Sequence, residues 1–230
     1  MKDTALIFFS RSSWTEPGHK SFGLRSRIAG KRLVSRLTES VLHETDFLSC
    51  DKFWVSDVPI PLSILHKHRF SENLIQIGNC LRERLKNAFV QLFERGYRQV
   101  IVIGNDTLIS GAELHRVVAH QGDVYGPSAD GGFYLLKLQV DSKNRYMLNA
   151  DAWVGDQLKC IPSSVHVLKI RVDLDSWTEM NRTDFDRRLI NWIRSLIAPQ
   201  AETLDCVQIM HWYIDFRRFF QKPPPILIAA

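Results

Sequence analysis

The stretch GPSADGGFYLLKL, from Gly126 to Leu138, carries the strongest fold signal in the chain. Its apolar second half, from Phe133 onward, predicts a buried strand. Asp130 and two glycines, Gly131 and Gly132, lie directly before that strand. Because glycine permits positive φ and a close approach of backbone to ligand, this turn could hold Asp130 at a fixed edge of a sheet. A hairpin turn without any other role is the alternative, and the short motif alone favours it.

Composition and charge place the chain among ordinary globular proteins. Its 230 residues are 45% hydrophobic and 24% charged, which suits one large α/β domain or one domain with an appendage. The 30 basic and 25 acidic residues leave a net charge of +5 and are spread along the chain. This pattern does not indicate a nucleic-acid partner, but it fits a site for a phosphorylated small molecule.

Cysteine spacing and the length of the apolar runs bear on the compartment. The four cysteines lie far apart and form no C-x-x-C pair, so neither a zinc site nor a redox pair is indicated. Scattered thiols are typical of a reduced, cytosolic protein. The apolar runs near both ends are too short for a signal peptide or a membrane span. The sequence therefore predicts a cytoplasmic protein without a membrane partner.

The first third of the chain predicts a strand, a basic loop and a helix. Ala5 to Phe9 is continuously apolar, as in a buried parallel strand, and apolar residues at helical spacing run from Arg25 to about Glu44. Between them lies a polar loop that contains Arg11 and Lys20. In α/β proteins this order presents phosphates to backbone donors and cations. A solvated loop with a charged helix face is an equally good interpretation.

The central third repeats the pattern and ends in a second carboxylate. A strong amphipathic helix is predicted from Cys80 to Arg95, and a buried strand from Val100 to Ile103. Asp106 follows that strand within three residues. The carboxyl end of a parallel strand is where open α/β sheets bind ligands, although Asp106 could simply cap a turn.

The remaining segments define the predicted organisation. We expect a loop over residues 59–71, a loop or hairpin over 141–145, a strand over 165–172 and a helix over 184–197. Residues 1–198 are predicted to form one domain. Residues 199–230 form an aromatic and proline-rich extension that would pack on this domain or on a second subunit, which leaves a homodimer open.

Three motifs in order resemble a known family. They are Gly78 with Leu81 and Arg84 at a helix start, Ile103-Gly104-Asn105-Asp106, and the Gly126 to Leu135 stretch. The matching family patterns are G-x-x-L-x-x-R, I-G-x-D-x-P-x-L and G-P-A-x-D-G-G-Y-Y-L. They are typical of bacterial proteins inferred to be glycosyltransferases of GT-A, nucleotide-diphospho-sugar transferase-like fold, which are classed as a domain of unknown function. The match is best over residues 74–138.

The resemblance implies a Rossmann-like three-layer α/β/α sandwich with a mostly parallel sheet. It also implies transfer from a nucleotide-activated donor, either a nucleotide or a nucleotide sugar, with Mg²⁺ or Mn²⁺ on the diphosphate. Asp106 would be the first metal ligand. Asp130 would be a second ligand or the catalytic carboxylate that meets the acceptor.

Further site residues follow from the same resemblance. Gly131 and Gly132 would leave room for the donor, and Arg11, Lys20 and Arg25 would hold its phosphates. A late D-x-D-T element resembles Val172 to Ser176. It makes Asp173 and Asp175 additional candidates, for which a structural capping role is at least as well supported.

Two departures from the family pattern leave two functional hypotheses open. The K-T-R-L expected in the first loop is absent, and Thr107-Leu108 replaces the proline-containing segment after Asp106. The leading hypothesis is a glycosyl- or nucleotidyltransferase. The alternative is a catalytically inactive relative that acts in binding or assembly. The nucleotide base and the acceptor are not specified by the sequence.

Overall fold

The computed structural model describes residues 3–11 and 27–173. Lys20, Arg25 and Asp175, the predicted helix over 184–197 and the C-terminal extension lie outside these residues. The elements are β1 (Thr4–Phe9), α1 (Arg27–Thr45), β2 (Asp51–Ser56), α2 (Leu62–Lys67), β3 (Glu72–Ile75), α3 (Leu81–Glu94), β4 (Gln99–Ile103), α4 (Gly111–Ala119), β5 (Val124–Pro127), β6 (Phe133–Gln139), β7 (Trp153–Val154), β8 (Gln157–Leu158) and β9 (His166–Val167). Two short 3-10 helices, Lys143–Leu148 and Ala150–Ala152, connect β6 to β7.

A seven-stranded sheet organises the molecule, in the order β3-β2-β1-β4-β6-β5-β9. β3, β2, β1 and β4 pair in parallel, and β5 pairs in parallel with β9. β6 is antiparallel to both of its neighbours, β4 and β5. The sheet is therefore mixed but mostly parallel, as the sequence predicted. β1 lies between two parallel partners, which explains why Ala5, Leu6, Ile7 and Phe8 are all fully buried.

Helices cover both faces of the sheet. On one face, α3 packs Leu85, Phe89 and Leu92 against side chains that include Ile7 and Val102. On the other face, α1, α2 and α4 pack around the alternate residues of the same strands, such as Leu6, Phe8 and Ile101. Successive residues of a strand point to opposite faces, so these two sets fill two separate cores. The three-layer α/β/α arrangement predicted from the sequence is confirmed.

The strands and helices predicted from strong apolar patterns are present with small shifts of their ends. Gly96, with φ of 91°, follows α3 as expected for a helix end. None of the helices in the described ranges combines the length and the apolar character that a membrane span requires.

Three local predictions were wrong, and one short strand was missed. The predicted loop over 59–71 contains α2, which begins after Pro61 without a side-chain cap and so gives no start signal. β3, a four-residue strand, was not predicted. Residues 141–145 enter a 3-10 helix, and the predicted strand over 165–172 contains only β9 and an isolated bridge at Arg171.

Candidate functional site

A cleft of about 530 Å³ opens at the carboxyl ends of β1 and β4. It lies where α/β sheets of this kind bind ligands. Its lining combines apolar side chains on the α3 side with acidic and polar groups from three loops. The lining residues are Phe9, Leu81, Leu85, Val102, Ile103, Gly104, Asp106, Asp130, Gly132, Phe133, Tyr134, Val154, Gly155, Asp156, Gln157 and Asp173.

Asp106 reaches the cleft from the loop that follows β4. The preceding Asn105 is buried, and its amide donates to the Thr38 hydroxyl of α1 at 3.3 Å, which fixes the loop on the helix layer. A Cβ atom on Gly104 would lie 2.8 Å from Oδ1 of Asp106, so glycine leaves the room that this carboxylate occupies. Asp106 lines the cleft, and its role as a metal ligand stays a prediction.

Asp130 lies in the tight turn between β5 and β6. The register pairs Ile103 of β4 with Leu135 of the antiparallel β6. The chain just before β6 therefore projects beyond the same sheet edge that carries Asp106. The turn joins two antiparallel strands, so it is a hairpin turn, which is one of the two predictions made from the sequence. It also lines the cleft. The two interpretations of this motif are compatible.

The carboxylate of Asp130 is fixed by its own turn. Oδ1 accepts hydrogen bonds from the Ser128 hydroxyl and, at 2.9 Å, from the backbone N–H of Gly132. Gly131 has φ of 92°, a backbone conformation that residues other than glycine rarely adopt. Both hydrogen bonds go to one oxygen, so the carboxylate is oriented while it remains exposed to the cleft.

Asp173 is a further carboxylate in the cleft, although a capping role was at least as well supported by the sequence. The Thr107 hydroxyl donates to its Oδ1. Burial, together with the negative charges of Asp106 and Asp130, raises the pKa of Asp173 to about 7, against the hydrogen bonds from Thr107 and Ser128. Carboxylates whose charges raise the pKa of a neighbouring carboxyl group in this way favour a bound cation, because a cation offsets their repulsion.

The β7–β8 hairpin forms a wall of the cleft that was not predicted. Its base is anchored by Trp153, whose indole N–H donates to the Met147 carbonyl at 2.6 Å. The side chain of Gln157 donates to the Asp130 carbonyl at 2.7 Å. Gly155 and Asp156 form the two-residue connection. A Gly-Asp pair between Val154 and Gln157 is a recognised hairpin signal and could have revealed this element.

The other predicted site residues divide into two groups. Gly131 and Gly132 lie in the Asp130 turn, and Gly132 lines the cleft. Arg11 is half-buried two residues beyond the end of β1. Lys20 and Arg25 are outside the described residues, so their phosphate-binding role stays a prediction.

The donor set suits a hard divalent ion with few protein ligands. Within residues 3–11 and 27–173, no group of three or more His, Cys, Asp or Glu side chains is arranged to hold a metal ion. Mg²⁺ does not need such a cage, since it commonly binds one or two carboxylates and completes its shell with water and substrate phosphates. Asp106 with Asp173 or Asp130 fits that requirement.

Residues 61–154, from just before α2 to the end of β7, match a protein family described as "Uncharacterized protein conserved in bacteria (DUF2064)". This segment contains Asp106, Asp130 and the turn glycines. The family match confirms the resemblance that was predicted from the sequence. No curated protein sequence matches the chain.

The fold is shared with a solved structure. A "putative nucleotide-diphospho-sugar transferase" from Desulfovibrio desulfuricans G20 superposes with a TM-score of 0.65 and 21% identity, over 86% of this chain and 97% of that chain. Rv0371c from Mycobacterium tuberculosis H37Rv gives a TM-score of 0.48 and 14% identity, over 83% and 99% of the two chains. A cytidylyltransferase from Leptospira borgpetersenii gives 0.44 and 14%, over 89% and 100%.

Proposed function

We propose that this protein is a metal-assisted transferase that uses a nucleotide-activated donor, for either glycosyl or nucleotidyl transfer. The observation that carries the proposal is the convergence of Asp106, Asp130 and Asp173 on one cleft at the carboxyl edge of the sheet. The description of the Desulfovibrio structure as a "putative nucleotide-diphospho-sugar transferase" supports the same class.

The chemistry of the cleft fits a charged and partly apolar ligand. Phe9, Leu81 and Leu85 offer an apolar wall for a base or sugar face. Four aspartates, including Asp156 of the β7–β8 hairpin, line the polar side. A divalent ion held by Asp106 and Asp173 would neutralise the diphosphate as negative charge develops on the leaving group. Arg11, with Lys20 and Arg25 from the first loop, would contribute charge-assisted hydrogen bonds to the phosphates.

Asp130 is suited to orient the acceptor or to complete the metal site. Its Oδ1 is held by Ser128 and Gly132, so its position does not depend on the ligand. Positioning and electrostatic stabilisation carry most of the catalysis in transfers of activated phosphates. A carboxylate that is already oriented therefore contributes without a large rearrangement.

The proposal is tested by titrating nucleotide sugars and nucleoside triphosphates into the protein by calorimetry, with and without Mn²⁺. We expect Asp106→Asn to weaken metal-dependent nucleotide binding by at least about tenfold, roughly 1.4 kcal/mol, because a ligand charge is lost. Asp141→Asn is the matched control. Asp141 is exposed and follows β6, at the sheet edge opposite the cleft.

The outcomes separate the two hypotheses left open by the sequence. Metal-dependent binding that is lost in Asp106→Asn and kept in Asp141→Asn would support the transferase. Unchanged binding in Asp106→Asn would remove Asp106 from the site. An absence of nucleotide binding by the unmodified protein would favour the inactive, partner-binding relative.

A further inference from the structure

Arg171 contacts, or lies close in sequence to, the segments that carry three of the four cleft aspartates, Asp106, Asp130 and Asp173. Its backbone N–H donates to the Pro127 carbonyl at 3.1 Å, and its carbonyl accepts from the N–H of Ala129 at 2.8 Å, next to Asp130. Its guanidinium donates from Nη1 to the Leu108 carbonyl at 2.8 Å, two residues beyond Asp106. Asp173 follows Arg171 by two residues along the chain.

The guanidinium is held from several directions. Nη2 forms an ion pair with Glu113, in the first turn of α4, and the guanidinium lies 5.6 Å from the centre of the Tyr134 ring. The Tyr134 hydroxyl in turn donates to the Lys169 carbonyl at 3.1 Å. The side chains of Arg171 and Glu113 are 30% and 13% exposed, so the ion pair is largely shielded from solvent.

We infer that Arg171 is a positioning residue that fixes the Asp106 loop, the Asp130 turn and the Asp173 segment relative to one another. Arg171 is not among the residues that line the cleft and acts through the three loops. The planar, forked guanidinium can bond to Leu108 and Glu113 at once, which an ammonium group on a flexible stem does less well. The consequence for metal binding rests on the proposed function, whereas the effect on loop order does not.

Arg145 provides a control because it makes two of the same kinds of contact elsewhere. Its Nη1 donates to the Val140 carbonyl at 2.8 Å, and its guanidinium lies 4.9 Å from the centre of the Phe93 ring. Phe93 is near the C-terminal end of α3, whereas the cleft contacts Leu81 and Leu85 near the start of that helix. Truncation of Arg145 therefore removes similar packing at a distance from the aspartates.

The test compares Arg171→Met, Arg171→Lys and Arg145→Met in the full-length protein. Hydrogen–deuterium exchange is measured over residues 105–110 and 127–132, Mn²⁺ affinity is measured by electron paramagnetic resonance without nucleotide, and thermal unfolding records global stability. For Arg171→Met we expect faster exchange in both segments and a 10–100-fold loss of Mn²⁺ affinity, the usual range when a group behind a metal ligand is removed. Arg171→Lys should give an intermediate result.

The control separates positioning from general stabilisation. Arg145→Met should leave both segments and the Mn²⁺ affinity unchanged, even if its thermal stability falls as much. The inference is overturned if neither Arg171 variant alters exchange in the two segments, or if Arg145→Met alters them equally. If Arg171→Met does not fold, the inference is judged on hydrogen–deuterium exchange in Arg171→Lys alone. If the unmodified protein binds no Mn²⁺, the metal-assisted function fails, and the exchange data alone decide the role of Arg171.

Discussion

Gly131 and Gly96 have nearly the same positive φ angle in very different surroundings. Their φ angles are 92° and 91°. A Cβ atom on Gly131 would lie 2.7 Å from the side-chain nitrogen of Gln157, whereas nothing lies within 4 Å of a Cβ atom on Gly96. This pair of glycines therefore separates the cost of the backbone conformation from the cost of disturbing the cleft.

We predict that both Gly131→Ala and Gly96→Ala lower the free energy of unfolding by about 1–2 kcal/mol, the cost of positive φ for an alanine. Gly131→Ala should lose about 1 kcal/mol more, because the Gln157 side chain must release the Asp130 carbonyl. Chemical denaturation measures both values. Equal losses would show that the Gln157 contact contributes nothing to the stability of the turn.

At the same scale, Asp106 and Asp173 show what residue patterns can and cannot predict. Asp106 follows a buried apolar strand, so the sequence alone places it at a ligand-binding edge. Asp173 reaches the cleft because the backbone of Arg171 pairs with the Ser128–Ala129 segment, more than forty positions earlier in the chain. That pairing leaves no local signal, and a capping role was therefore equally well supported.

At the scale of elements, β6 carries the fully buried Lys137, whose side chain caps the C-terminal end of α4. The ammonium of Lys137 donates to the Val117 carbonyl at 2.8 Å and to the carbonyls of Val118 and His120, at the C-terminal end of α4. Burial lowers the pKa of Lys137 to about 8. The charged form is thus disfavoured in the folded protein despite these carbonyl partners.

This pKa predicts how stability depends on pH. Between about pH 8 and 10.4 the unfolded chain binds more protons at this lysine than the folded protein does, so the free energy of unfolding should rise with pH. The rise is at most roughly 3 kcal/mol relative to Lys137→Met, which has no such titration. Denaturation curves of both proteins at several pH values measure it.

Lys159→Met, at an exposed position, is the control for this comparison and should follow the unmodified protein. Parallel pH profiles for the unmodified protein and Lys137→Met would contradict the prediction. A difference of opposite sign would mean that the helix carbonyls stabilise the ammonium more than burial destabilises it.

The elements also show where sequence patterns stop being informative. Strands with continuous apolar runs and helices with full apolar stripes were predicted nearly to the residue, since burial alone explains them. α2 and β3 were missed because each is short, and α2 lacks a side-chain cap. Their positions depend on long-range contacts. In β3, for example, the Asn73 side chain donates a hydrogen bond to the Trp54 carbonyl at 2.8 Å.

For the whole molecule, strand order explains why the site lies in one place. β1 and β4 are adjacent and parallel, so their carboxyl ends share an edge. The antiparallel β6 starts at that same edge and brings the Asp130 turn to it. The late Arg171 bridge then adds Asp173 from the end of the described chain. With Asp156 of the β7–β8 hairpin, one cleft thus receives carboxylates from four parts of the sequence.

The central claim is that this cleft binds a nucleotide-activated donor together with a divalent ion. Thermal unfolding of the unmodified protein against nucleoside di- and triphosphates and nucleotide sugars, with and without Mn²⁺, tests it most directly. A ligand at about 100 times its dissociation constant should stabilise the fold by roughly 2.7 kcal/mol, and only when Mn²⁺ is present. The absence of a shift with every ligand would contradict the claim and favour a partner-binding protein that retains the fold without the activity.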